Sequence, residues 1–142
     1  MLRSILAVFL GLVIGSVVNM GLIFLGSELI PPPPGVDVSN ADSIAASIHL
    51  YQAKHFIAPL LAHALGTLVG TVIAYSIAIN RRQRAAWAVG CIFLIGGILA
   101  AFMIAAPLWF LTADLVLAYL PMAWLGIKLG SKFVKMADDG SA

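Results

Sequence analysis

Residues 56–79 read FIAPLLAHALGTLVGTVIAYSIAI, an apolar run with no Asp, Glu, Lys or Arg. It reaches the ~20 residues that a helix needs to cross a ~30 Å hydrocarbon core. Its apolar residues are continuous rather than alternating, which excludes a barrel strand, and lipid offers no partner to bare backbone amides, so a helix is what remains. Three more apolar runs of this length flank it, at residues 4–25, 86–106 and 111–133, the last carrying Asp114, Lys128 and Lys132. The fold class they imply is an all-α integral membrane protein, a four-transmembrane-helix bundle forming one membrane domain over residues 1–142.

Composition agrees with that class. The chain is 62% apolar and only 10% charged, with a mean hydropathy of +1.06, where a soluble domain carries about 25% charged residues. A net charge of +2 points to no nucleic-acid partner; the lipid bilayer is the partner that the composition implies. The lone Cys91 can make neither an intrachain disulfide nor a cysteine-based metal site. Residues 4–25 follow a short basic start, yet the run exceeds the ~7–15 residues of a signal-peptide core, so it reads as a retained helix.

The positions of the basic residues set an orientation. Arg3, then Arg81, Arg82 and Arg84, then Lys128, Lys132 and Lys135 fall at one end of the spans, and only Lys54 falls at the other. Short loops rich in Lys and Arg stay in the cytoplasm. Both termini are therefore expected on the cytoplasmic side of a bacterial inner (plasma) membrane, with residues 26–55 outside. In that outer loop Pro31–Pro34 should form a stiff polyproline spacer. Ser39-Asn40-Ala41-Asp42 resembles a capping box, and Ile44, Ile48 and Tyr51 recur at helical spacing, so a short extracytoplasmic interfacial helix of about three turns is expected near residues 40–53.

Two rows run along the second span in steps of four. Gly66 and Gly70 lie in a row of small residues that suits close helix packing, and Gly11 with Gly15 forms a matching row on the first span. Gly97, Ala101 and Ala105 offer another on the third. These rows could serve contacts within one chain, a homo-oligomer or a larger membrane complex. One position along, His55, Pro59, His63, Thr67, Thr71 and Tyr75 form a polar stripe. Thr67 and Thr71 can bond back to their own helix; alternatively the stripe lines a path, with Pro59 breaking the helix beside it.

Depth brings the polar residues together. His63 lies ~10 Å inside its span, Asn19 ~8 Å and Asp114 ~5 Å inside theirs, at 1.5 Å per residue. Ionisable groups at such depth normally face the bundle interior and pair, so His63 should meet Asp114, with Asn19 close by and Glu28 and His55 capping the cluster. A plainer account has Thr112 capping the fourth helix and Asp114 in its first turn. No protease, thiol-redox, hydrolase or nucleotide motif is present, and the histidine spacing suits no metal site, so no catalytic residue, metal or cofactor is assigned. The expectation is a non-enzymatic membrane protein passing protons or a small solute through an outward-facing polar cavity. The alternatives are a structural or accessory subunit, or a small membrane enzyme using His63 and Asp114 as an acid–base pair.

Overall fold

The computed structural model describes residues 2–140, without the side chain of Asp138. Among the described residues six α-helices follow one another: α1 (Leu2–Leu29), α2 (Ala41–Ser47), α3 (Ile57–Ile77), α4 (Arg82–Met103), α5 (Leu108–Leu117) and α6 (Leu120–Asp139). Four helical stretches are long and apolar enough to cross a membrane: Leu2–Leu29, Ala53–Ile77, Arg82–Met103 and Leu108–Ala137. The large side chains on the outside are apolar too, from Phe9 and Val17 to Leu99 and Phe102, as a bundle compatible with a lipid surround requires.

The closest helix contacts are made by small residues rather than large ones. Helix α3 sits at the centre, packed against α1, α4 and α6. Along the antiparallel α1–α3 seam, a Cβ at Gly11 would lie 2.6 Å from the Gly70 carbonyl oxygen, and one at Gly15 would lie 2.6 Å from that of Gly66. The backbones touch directly, and nothing larger than glycine fits without pushing the helices apart. Ala7 packs with Ala78 and Ala85 at the end of the same seam. Glycines at 126 and 130 seat α6 on Thr71 and Tyr75 of α3, while Gly90 receives Ala123. Gly97 opposes Tyr119, in the link between α5 and α6, rather than the second span.

At one end of the bundle Arg81 adopts a left-handed conformation (φ 58°) to turn α3 into α4. The Arg82 guanidinium donates to the Tyr75 and Ser76 carbonyls, satisfying groups that the last turn of α3 leaves open. We call this the arginine end, and the opposite one the loop end.

Several elements differ from the sequence expectation, each for a local reason. Helix α1 runs on to Leu29 because nothing stops it before the prolines, which disfavour helix at the preceding residue. The proline run is a straight spacer only at its start. Pro34 and Gly35 (φ 83°) form a turn closed by the Val36 amide on the Pro33 carbonyl, 3.2 Å, as a Pro-Gly pair favours.

The cap of α2 is Asn40, whose side chain accepts from the Asp42 and Ser43 amides, and not Ser39, which bonds to Asp37. The expected three-turn helix over residues 40–53 is shorter: α2 gives way to a 3-10 turn at Ile48–Leu50. The reason is the next cap. Gln52 adopts an extended conformation and exchanges hydrogen bonds with His55 to start a 3-10 turn, Ala53–Phe56, that leads into α3. Pro59 consequently lies in the first turn of α3, where its missing amide costs little, and the helix is not broken there.

Helix α4 ends at Met103, and a short non-helical link leads to Pro107, which caps α5. The fourth membrane-length stretch is interrupted, with Ala118 and Tyr119 between α5 and α6. Pro121 accounts for this break, since it has no amide for the Leu117 carbonyl and its ring would clash with it; placed in the first turn of α6 it is tolerated.

Candidate functional site

Helix α5 starts at Leu108, before the expected 111, with no side-chain cap. Thr112 bonds back to the Leu108 carbonyl at 2.8 Å, so it does not cap the helix, and Asp114 lies in the second turn rather than the first. His63 is six residues past Ile57 and Asp114 is six past Leu108, which places both ~9 Å along their helices. They meet there. His63 Nδ1 lies 2.8 Å from Asp114 Oδ1, and the second carboxylate oxygen accepts from the Tyr119 hydroxyl at 3.0 Å.

The carboxylate of this group is 4% exposed and Tyr119 2%. The Tyr119 ring stacks on the imidazole, centroids 5.9 Å apart and planes 27° apart, and it lies in the space that the missing side chain of Gly97 leaves. Opposite an ionised carboxylate, which can only accept, the imidazole would hold its proton on Nδ1. In that tautomer Nε2 is the ring nitrogen left to bond to another molecule.

The imidazole and the carboxylate form the polar floor of a cavity of about 180 Å³. Its walls are mostly apolar, from Ile23 and Gly26 of α1, Ala101 and Ile104 of α4, and Leu111 of α5. Residues of the 30–56 connection cover it, among them Pro32, Val38, Ile44 and Ile48. An aromatic cluster closes one side: Phe56 packs on Phe110 at 4.7 Å between centroids and edge-on to Trp109, and Tyr51 meets both His55 and Phe56.

His55 lines the cavity as well. Its Nδ1 accepts the Gln52 amide at 2.8 Å, so a neutral His55 carries its proton on Nε2, the reverse of His63. In those tautomers one imidazole offers a donor and the other an acceptor. Tyr51, within the same connection, has its hydroxyl pKa raised by burial.

Compared with protein families, with curated proteins and with solved structures, the chain gives no match. The site's chemistry rests on its own geometry.

Of the residues that depth and periodicity grouped, His63, Asp114 and His55 share the cavity, and two do not. Glu28 is exposed on α1 and is absent from the lining. Asn19 lies one turn beyond, with its Cβ against Gly66, off the cavity wall, and its Oδ1 is buried without a hydrogen-bond partner. Glu28 is turned away from the face of α1 that carries Ile23, Gly26 and Ile30, whereas Asn19 shares that face and lies one turn too far toward the arginine end. Within the polar stripe, Thr67 donates to the His63 carbonyl, and Thr71 bonds to the Thr67 and Leu68 carbonyls, each at 2.8 Å. Both are fully buried. Tyr75 packs against Gly130.

Tyr119 is the member that sequence reading missed. A tyrosine in mid-span two residues before a proline was the available signal: Pro121 breaks the helix, and a buried tyrosine hydroxyl needs a partner.

Proposed function

We propose that this is an integral membrane protein, oriented with the loop end outward and both termini in the cytoplasm, that binds a small amphiphile in the cavity above His63. The occupant is a single-ring, mostly apolar molecule with one hydroxyl or acid group. The observation that carries this reading is the His63–Asp114 contact at 2.8 Å on the floor of an otherwise apolar cavity. Asp114 fixes the tautomer, so Nε2 accepts a hydrogen bond from a neutral hydroxyl, and when protonated it can donate to an acid anion.

Size supports a single ring. A dry engineered cavity of ~150 Å³ takes up benzene, and about 180 Å³ leaves room for one polar substituent. Binding is favoured over conduction through one copy because the stripe below His63 offers no continuing partners: the Thr67 and Thr71 hydroxyls donate to their own helix and are fully buried.

The test is a titration of the purified protein with phenol and, separately, with toluene, followed by the imidazole signals of His63 in NMR. Phenol should bind about tenfold more tightly than toluene, as one net hydrogen bond of ~1.4 kcal/mol implies, and His63→Ala should erase that preference. Equal binding of the two rings, or no binding of either, refutes the reading.

A further inference from the structure

Toward the arginine end, a groove of about 540 Å³ opens on the surface between α3 and α6, lined by Leu68, Leu125, Lys128, Leu129, Ser131 and Lys132. None of these residues lines the His63 cavity. The floor is leucine and the rim is cationic. Lys128 and Lys132 are one helical turn apart and rise from the same face. Among the described residues neither has a carboxylate within ion-pair distance.

Lys128 does not reach out toward the arginine end. Its ammonium lies 3.6 Å from the centroid of the Trp124 ring, one turn back toward the middle of the bundle. The Ser131 hydroxyl donates to the Lys128 carbonyl at 2.8 Å, which leaves the two ammonium groups as the donors of the rim. Cations on an apolar surface need an anion that is itself at home against hydrocarbon.

We propose that the groove binds one anionic glycerophospholipid, its phosphate between Lys128 and Lys132 and an acyl chain along Leu68, Leu125 and Leu129. Charge complementarity selects the headgroup, and the length of leucine surface selects a lipid over a free anion. This inference requires a bilayer around the bundle and is independent of what fills the cavity above His63.

The experiment uses the full chain with Trp87→Phe and Trp109→Phe, so that Trp124 is the only emitter, in phosphatidylcholine nanodiscs. A minor fraction of either dibrominated phosphatidylglycerol or dibrominated phosphatidylcholine is added. The anionic lipid should be enriched beside Trp124 by about fivefold per lysine, ~25-fold for the pair, and should quench Trp124 correspondingly more at low fractions. Lys128→Gln with Lys132→Gln should bring the two lipids level, while Arg81→Gln with Arg84→Gln, which removes the same charge from the same end, should leave the preference intact. Equal quenching by both lipids in the parent chain overturns the proposal. So does an equal loss in the arginine variant, or a Trp124 that neither lipid reaches because protein covers the groove.

Discussion

The Tyr119 hydroxyl donates to Asp114 at 3.0 Å across a break in the helical stretch that carries both. Five residues apart on an unbroken helix they would lie roughly 140° apart around the axis and could not meet. The interruption at Ala118–Tyr119 is thus what completes the site. Pro121→Ala restores the missing amide and should let α5 and α6 run together, swinging Tyr119 away from Asp114. The expected result is a slight gain in helix content by circular dichroism together with a loss of phenol binding. Unchanged binding in a more helical variant would mean that the break does not position the site.

Tyr119→Phe is the finer test, since it keeps the ring stacked on His63 and deletes one hydrogen bond. Bonds to charged groups contribute ~1.5–3 kcal/mol, and Asp114 would retain only His63 as a donor. The variant should unfold at lower denaturant in mixed micelles, its unfolding free energy reduced by an amount in that range. Gly97→Ala attacks the same pair from the other side, because the added methyl would overlap the Tyr119 hydroxyl and ring. It should lose ligand binding as well as stability.

How much of this could be read in advance varies with the kind of physics involved. The four helices long and apolar enough to cross a membrane follow from apolar run length, which is a property of the chain alone. The approach of His63 to Asp114 follows from depth and from the cost of isolated polar groups in a low-dielectric interior. Asn19 faces the same way as Ile23 and Gly26 of the cavity wall and yet meets Gly66 one turn beyond it, because the relative axial register of α1 and α3 is decided by packing. Here the deciding contacts are Gly11 with Gly70 and Gly15 with Gly66. The short helix near residue 41 was legible in its cap region but not in its length. The stop signal was the reciprocal Gln52–His55 cap, which uses residue types outside the usual Ser/Thr and Glu pattern.

The α1–α3 seam makes a contrast that needs no ligand. A Cβ at Gly70 of α3 would sit 2.7 Å from the Gly11 carbonyl oxygen, whereas one at Gly21 of α1 would meet nothing within 4 Å. Gly70→Val should therefore cost more than the ~1–3 kcal/mol usual for overpacking, since backbone rather than a flexible side chain must yield. Gly21→Val should leave stability unchanged or slightly raised. Folded yield and unfolding midpoint, measured side by side, decide it; similar losses at both positions would show that the seam is not what holds α1.

Asn19 should be replaceable without penalty. Its Oδ1 is buried and unpaired, so the wild-type chain already bears a desolvation cost of ~1–3 kcal/mol. Leucine has nearly the same shape. Asn19→Leu is expected to leave the fold intact and to raise the unfolding midpoint, with phenol binding unchanged because Asn19 is not on the cavity wall. A clear destabilisation would reveal a partner for that oxygen in the membrane.

The cover of the cavity carries the pH dependence whose sign can be worked out. Asp37 accepts from the Ser39 hydroxyl at 2.6 Å and from its amide at 2.9 Å, and these bonds hold its carboxyl below the ordinary value. A depressed native pKa means that the contribution is complete above the unfolded value, ~3.9, and is lost as pH falls through the lower native one. The turn that places Val38 over the cavity should be unaffected between pH 5 and 8 and should loosen below about pH 4. The Ser39 amide reports this in NMR, shifting toward its random-coil position only in that acid range. Asp37→Asn should show no such acid transition, because no carboxylate remains there to titrate. A transition at Ser39 that persisted in Asp37→Asn would assign the acid sensitivity of the cover to another group.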